Sequence, residues 1–238
     1  MRIVSIGGSH SVGYGLKDVE HLPYDTVSQF AYPALVAKHF DCELLNLAKC
    51  GNGIDQLQLD VMEYLSIAQP DDFLILQVTT KIHWFTLITS DNKTIKIVNP
   101  DSLDFKGERF QTALHQLMAT LTNDAHWQRI WFNHFFAMMN LLQKSNTKFV
   151  WFLDRDFNDL MYFEETMQHF MPEQITQLDR IRRATGALET NYLGRTLADF
   201  LDKYCPDSQL PNGHYNEIGH QFWADRLLIP YISGRLTN

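Results

Sequence analysis

The sequence predicts an α/β fold built on a parallel sheet with helices on both faces. Three observations predict it. Short, wholly apolar runs recur without the alternation of a half-exposed strand, as strands buried on both faces require. Helix-spaced apolar segments separate those runs, so strand and helix alternate through most of the chain. The 238 residues are 45% hydrophobic and 20% charged, enough apolar mass for one large α/β core. Parallel strands in one sheet imply right-handed crossovers. We read residues 1–238 as a single domain with an elaboration around 80–125.

The first strand is "RIVSI", residues 2–6. A helix follows over "AYPALVAKHF", 31–40, with Ser28 as its expected cap and Pro33 tolerable in its first turn. "ELLNL", 43–47, is the second strand. After a glycine loop at 51–53, "IDQLQLDVMEYLSIA" carries apolar residues at 54, 57, 61, 62 and 65, which is helical spacing. "DDFLILQV" is the third strand. Residues 80–107 read as an irregular excursion. "DAHWQRIWFNHFFAMMNLLQK" is a long helix whose stripe runs through Trp131, Phe135, Met138 and Leu142, a core pattern. "KFVWFL", 148–153, is the fourth strand. "LADFLDKY" is a short helix, and "NEIGHQFWADRLLIPYI" a terminal one that starts just after "PNGHY".

Composition excludes several functions. The formal charge is −8 and no basic block occurs, which argues against a nucleic-acid partner. No run of about 18 apolar residues is present to span a membrane, and the opening apolar run is too short for a signal peptide. Cys42, Cys50 and Cys205 are scattered, with no C-x-x-C pair, and read as free thiols of a cytoplasmic protein. No H-E-x-x-H or ligand-like cluster suggests a metal, and no cofactor is expected.

The loop after the first strand, "IGGSHSVGYG", lies where α/β sheets gather their ligands and reactive groups. As a phosphate loop it lacks the lysine, because Tyr14 and Gly15 follow Gly13 where Lys and Ser/Thr belong. It does not fit G-x-G-x-x-G. As a G-x-S-x-G elbow it fails at Ser11.

Residues 6–15 instead resemble the first block of the SGNH (GDSL-like) hydrolases, G-[DN]-S-x-x-x-G, with Ser9 and Gly13 matching and Gly8 in the acidic or amide position. "NLAKCGN", 46–52, is similar to the family's N-x-G-x-x-G loop, with Asn46 and Gly51 in place and Ala48 for the first glycine. "LPNGHYNEIGHQFWADRL" is similar to the D-G-x-H-P-N-x-x-G-H segment, through His214, Asn216, Gly219 and His220. The three blocks fall in the right order at the right elements. The resemblance implies a three-layer α/β/α sandwich with a flavodoxin-like sheet, strand order 2-1-3-4-5. It also implies hydrolysis of a carboxylic ester, an acetyl group on a sugar or a short acyl chain, with a small-molecule or carbohydrate ester as substrate.

The chemistry follows from the residue types. A serine hydroxyl needs a base. The resemblance makes Ser9 the nucleophile and His214 that base. Gly51, with the Ser9 N–H, would donate to the oxyanion, since glycine admits close main-chain approach. The family's G-x-N-D block is here "VTTK", so Thr80 stands in the asparagine position, and Thr80 or Asn52 would supply the third donor. The family's acid position is Pro211 or, in some relatives, Asn212. Asn212 stands in for the acid, with Asp207 the nearest alternative. His10 reads as a bystander and His220 as structural. Lys81, His83 and Trp84 fit equally a pocket lining beside the third strand and a solvated loop, and "DRDFND", 154–159, reads as caps and turns. Two other readings stay open: a catalytically impaired binding protein that keeps this fold, and a phosphate- or nucleotide-binding domain that uses the 7–15 loop as an anion nest.

Overall fold

The computed structural model describes residues 1–79, 85–88, 94–97, 124–154 and 191–237, with the backbone alone at 85–88, 94–97, 124–129 and 132. A parallel sheet runs through its centre. Strand β1 (Arg2–Ile6) pairs with β2 (Glu43–Asn46) on one side and β3 (Asp72–Val78) on the other. Beyond β4 (Phe85–Ile88) and β5 (Thr94–Ile97) inside the elaboration, the next parallel strand is β6 (Lys148–Leu153), which pairs with β3. The order β2-β1-β3-β6 is the expected 2-1-3-4. A fifth position is marked by one parallel bridge, Trp151 to Tyr192, with the Leu193 N–H donating to the Trp151 carbonyl at 3.0 Å.

Period-two geometry divides each strand between two cores. Val4, Ile6, Leu74 and Leu76 face one way and pack with Leu57, Val61, Trp131 and Phe135. Those partners come from α3 (Ile54–Ile67) and α4 (Asp124–Lys144). Ile3, Phe73, Ile75 and Val150 face the other way. They pack against α2 (Tyr32–His39), α5 (Leu197–Tyr204) and the terminal helix through Tyr32, Leu201 and Trp223. Both faces of β3 are buried, which is why its sequence does not alternate. Each fully buried Ile, Leu or Phe contributes about 1.5–3 kcal/mol.

The terminal helix is interrupted. Helix α6 (Glu217–Trp223) passes into a wider π turn (Ala224–Leu228) and then α7 (Ile229–Leu236). Pro230 lies just beyond the π turn and lacks an N–H to continue the ladder. Two expectations need correction. Residue Ala31, not Ser28, caps α2; the Ser28 hydroxyl donates to Asp18 at 2.6 Å instead. The excursion is not wholly irregular, because β4 (Phe85–Ile88) and β5 (Thr94–Ile97) pair antiparallel within it. Among the described residues no helix is long and apolar enough to cross a membrane.

Candidate active site

The chain leaves β1 at Gly7 and Gly8 and enters a single helical turn, α1 (Ser9–Val12). Gly7 is required by space. A Cβ there would lie 2.8 Å from the Gln77 Cβ and against the Ser11 hydroxyl. Gly13 ends the turn at φ +83, donating to the Ser9 carbonyl at 2.9 Å, a left-handed conformation that suits glycine.

One buried side chain pins the whole turn. The Gln77 Oε1 on β3 accepts from Gly8 N at 3.3 Å, Ser11 N at 3.1 Å and the Ser11 hydroxyl at 2.7 Å. Tyr32 joins through its hydroxyl to Ser11 and Gln77, and burial holds that phenol protonated far above its usual range. From the other side, Asn46 at the end of β2 donates to the Ser11 carbonyl at 2.9 Å and accepts from Ala48 N at 2.9 Å. The N–H groups of Gly8, Ser11, Val12, Gly13 and Tyr14 are engaged inside the protein and are not open to an anion.

A second tight loop comes from the far end of the chain. Leu210 N donates to the His214 carbonyl at 2.7 Å, and Gly213 N, at φ +79, to the Leu210 carbonyl at 2.9 Å. The Asn212 Oδ1 accepts from His214 N at 3.1 Å. Below it, Asn216 caps α6 by accepting from Ile218 N and Gly219 N, the usual role of asparagine there. Gly219 lets that helix sit against Ser208, whose Oγ would be 2.8 Å from an added Cβ. His220 is 2% exposed and its Nδ1 accepts from Tyr32 N at 3.1 Å. Burial above all, and then the nearby His214, push its pKa down to about 4, so it is neutral with its proton on Nε2.

The two loops meet. His214 Nε2 lies 2.8 Å from Ser9 Oγ, within the range of a nucleophile and its base. The His214 ring also packs against His10, at 4.9 Å between centroids, and Tyr14, at 5.2 Å. Beside Tyr14 opens a cavity of about 540 Å³, walled by Tyr14, Tyr24, Leu22, Leu210, Glu20 and Asn212 among others. Ser9 and His214 are not among its walls, but two wall residues, Tyr14 and Asn212, contact His214. A volume of this size suits a small molecule.

Solved structures share this architecture. The chain superposes on the psychrotrophic esterase EstA from Pseudoalteromonas sp. with a TM-score of 0.53, 11% identity, and coverage of 100% of this chain and 99% of that one. A protein assigned to the lipolytic G-D-S-L family of Desulfitobacterium hafniense DCB-2 matches at 0.50 and 13%, over 98% of each chain. The acetyl xylan esterase Est2A of Butyrivibrio proteoclasticus matches at 0.51 and 15%, over 99% of this chain but 64% of that one. No family model matches the chain, and no curated protein matches it by sequence. The chain has the SGNH-hydrolase fold.

Within the SGNH frame the candidate residues fall into three groups. Ser9 and His214 are brought together. Gly51 lies at φ +70 in the loop after β2, and the Ser9 N–H, at the first position of α1, has no acceptor within its helix. The others sit differently from the expectation. The Asn52 amide is committed elsewhere, donating to the Gly7 carbonyl at 3.2 Å and to Asp60 at 2.7 Å. The hydrogen bond of the Asn212 side chain goes to the His214 main chain, not its ring. Asp207 is exposed, and it is its carbonyl that meets Asn216, at 3.5 Å. Thr80 lies outside the described residues, as do Lys81, His83, Trp84 and residues 155–159.

Three residues around the site have no role assigned from the sequence: Gln77, Tyr32 and Tyr14. Gln77 had a signal, being the polar exception inside an apolar strand. His10, read from the sequence as a bystander, has its ring 4.9 Å from that of His214.

Proposed function

We propose that this protein is a serine hydrolase of carboxylic esters. The Ser9 Oγ–His214 Nε2 distance of 2.8 Å carries the reading. Ser9 attacks the ester carbonyl while His214 takes its proton, forming a tetrahedral intermediate. Its oxyanion is met by the main-chain N–H groups of Ser9 and Gly51, each such donor lowering the barrier by roughly 3 kcal/mol. His214 then protonates the leaving alcohol, and an acyl group remains on Ser9. Water, deprotonated by the same imidazole, attacks the acyl carbon and restores the free serine. The chemistry calls for no metal or cofactor.

The cavity bears on the substrate. Among the described residues its walls include two tyrosines and one carboxylate, Glu20, and no lysine or arginine. That lining suits a neutral ester over an anionic one. A carbohydrate ester fits such a lining, and the likeness to an acetyl xylan esterase favours the same class.

Hydrolysis of 4-nitrophenyl acetate and of an acetylated xylose tests the reading. The wild type is expected to turn over at least one of them, and Ser9→Ala to fall by more than about 10³-fold. Equal rates for the two proteins contradict it. A second reading, binding without turnover, is favoured by the commitment of Asn212 to the main chain. Its mark is saturable binding of the acetylated sugar by a wild type that does not hydrolyse it.

A further inference from the structure

An imidazole base must present one nitrogen to its nucleophile, yet the terminal torsion of histidine is broad and roughly two-fold. Something outside the ring must hold it. In this protein the ring of His214 has two aromatic neighbours, one from the turn that carries Ser9 and one just after it. The His10 ring lies 4.9 Å away at an interplanar angle of 46°, and the Tyr14 ring 5.2 Å away at 63°, edge on. Both separations lie in the range of favourable ring pairs.

The attachment to the nucleophile is direct. His10 is the next residue in the chain. Tyr14 N donates to the Ser9 carbonyl at 3.0 Å. Each ring is backed in turn. His10 is 8% exposed and also lies 5.5 Å from the Tyr215 ring. Tyr14 packs on Tyr24 at 5.0 Å. Tyr24 belongs to a strap held against the loop after β2, where Cys50 Sγ donates to the Tyr24 carbonyl at 3.3 Å and Cys50 N to Asp25 at 2.9 Å. Gly15, at φ +86, admits the Asn212 amide, which would stand 3.1 Å from a Cβ at that position. Nucleophile, clamp and histidine loop are therefore packed as one unit.

We propose that His10 and Tyr14 are positioning residues that clamp the His214 ring with its Nε2 toward Ser9. They act through the base, and Tyr14 also walls the neighbouring cavity. The proposal builds on the hydrolase reading and adds to it what fixes the base. A displacement of the base by a fraction of an ångström separates a productive pair from an idle one, and misplacement near 1 Å costs about 100-fold. The ring, not the hydroxyl, of Tyr14 performs this task, so phenylalanine replaces it and leucine does not.

The experiment compares wild type, Tyr14→Phe, Tyr14→Leu, His10→Phe and His10→Leu. The rate of acylation by a fluorophosphonate and the kcat and KM for 4-nitrophenyl acetate are measured, with melting temperature as the control for folding. The phenylalanine variants are expected to keep wild-type kcat within about 3-fold, and the leucine variants to lose about 10- to 100-fold in kcat with KM little changed. Leucine variants that match the wild type, or phenylalanine variants that lose as much as leucine, overturn the clamp. A readout independent of turnover uses the Ser9→Ala protein. There the His214 ring protons should show ring-current shifts by NMR that disappear on adding Tyr14→Leu. Unchanged shifts overturn the clamp even in an inactive protein, whereas a wild type that fails to react overturns the hydrolase reading first.

Discussion

His214 Nε2 sits 2.8 Å from Ser9 Oγ across 205 residues of sequence. Neither loop could make that contact alone. The first is fixed by Gln77 and Asn46, the last by the turn from Leu210 to His214 and by the cap of α6. The pairing therefore depends on buried polar groups that never touch a substrate.

Gln77 is the first of these. Its Oε1 takes two main-chain N–H groups and the hydroxyls of Ser11 and Tyr32 in a site 2% exposed. Gln77→Leu strands those donors, and each buried orphan costs about 1–3 kcal/mol. The variant is expected to unfold at clearly lower urea concentration, with a fall in Ser9 acylation measured well below that midpoint. An unchanged midpoint contradicts the assignment.

The two glycines before Ser9 should behave in opposite ways. Gly7→Ala drives a methyl into Gln77 and Ser11, and overpacking of this kind costs about 1–3 kcal/mol. Gly8 has φ −101, an ordinary extended value, and its nearest neighbour would lie 3.9 Å from a Cβ. Gly8→Asn, which supplies the residue type the first block usually carries, should change stability by less than about 0.5 kcal/mol. Paired thermal melts decide the matter.

Much of this was legible in the sequence, for physical reasons. Strands covered on both faces must be apolar throughout, so "RIVSI", "DDFLILQV" and "KFVWFL" announce themselves. The Ser9–His214 pair was legible because its blocks need fixed residue types: a serine at a glycine turn, and an asparagine cap two residues after the histidine. What stayed hidden depends on where side chains point. Nothing in "SHSVGY" says that a single helical turn aims His10 and Tyr14 at a histidine 200 residues away. The π turn before Pro230 and the hairpin at 85–97 arise from packing and pairing that no local pattern spells out. Asn52 looked available for an oxyanion because its partner, Asp60, lies on the buried face of α3.

Asn52 gives a prediction that separates scaffold from catalysis. Its amide bridges the Gly7 carbonyl and the buried Asp60, which also takes Lys49 at 3.2 Å and Gln56 at 3.0 Å. Asn52→Leu removes a donor from a buried carboxylate and should lower stability by about 2–4 kcal/mol. An oxyanion donor would instead lower kcat with stability intact. Denaturant titration and kinetics on the same sample distinguish the two.

His220 makes stability depend on pH. Its pKa falls from 6.5 unfolded to about 4 folded because it is buried. The unfolded chain therefore binds the extra proton first as pH drops. The stabilisation is complete above pH 6.5, declines between about 6.5 and 4, and is flat below. The loss is on the order of 3 kcal/mol from this residue. His220→Gln, whose Oε1 can still accept from Tyr32 N, should lose less stability than wild type between pH 7 and 4.5. Parallel pH slopes in urea unfolding contradict this.

The most direct measurement of the central claim is covalent. A fluorophosphonate is incubated with the folded wild type, and the modified peptide is located by mass spectrometry, with His214→Ala alongside. One adduct is expected, on Ser9, formed at least about 10³-fold more slowly without His214. A folded wild type that carries no adduct, or an adduct on Ser9 that forms as fast without His214, contradicts it.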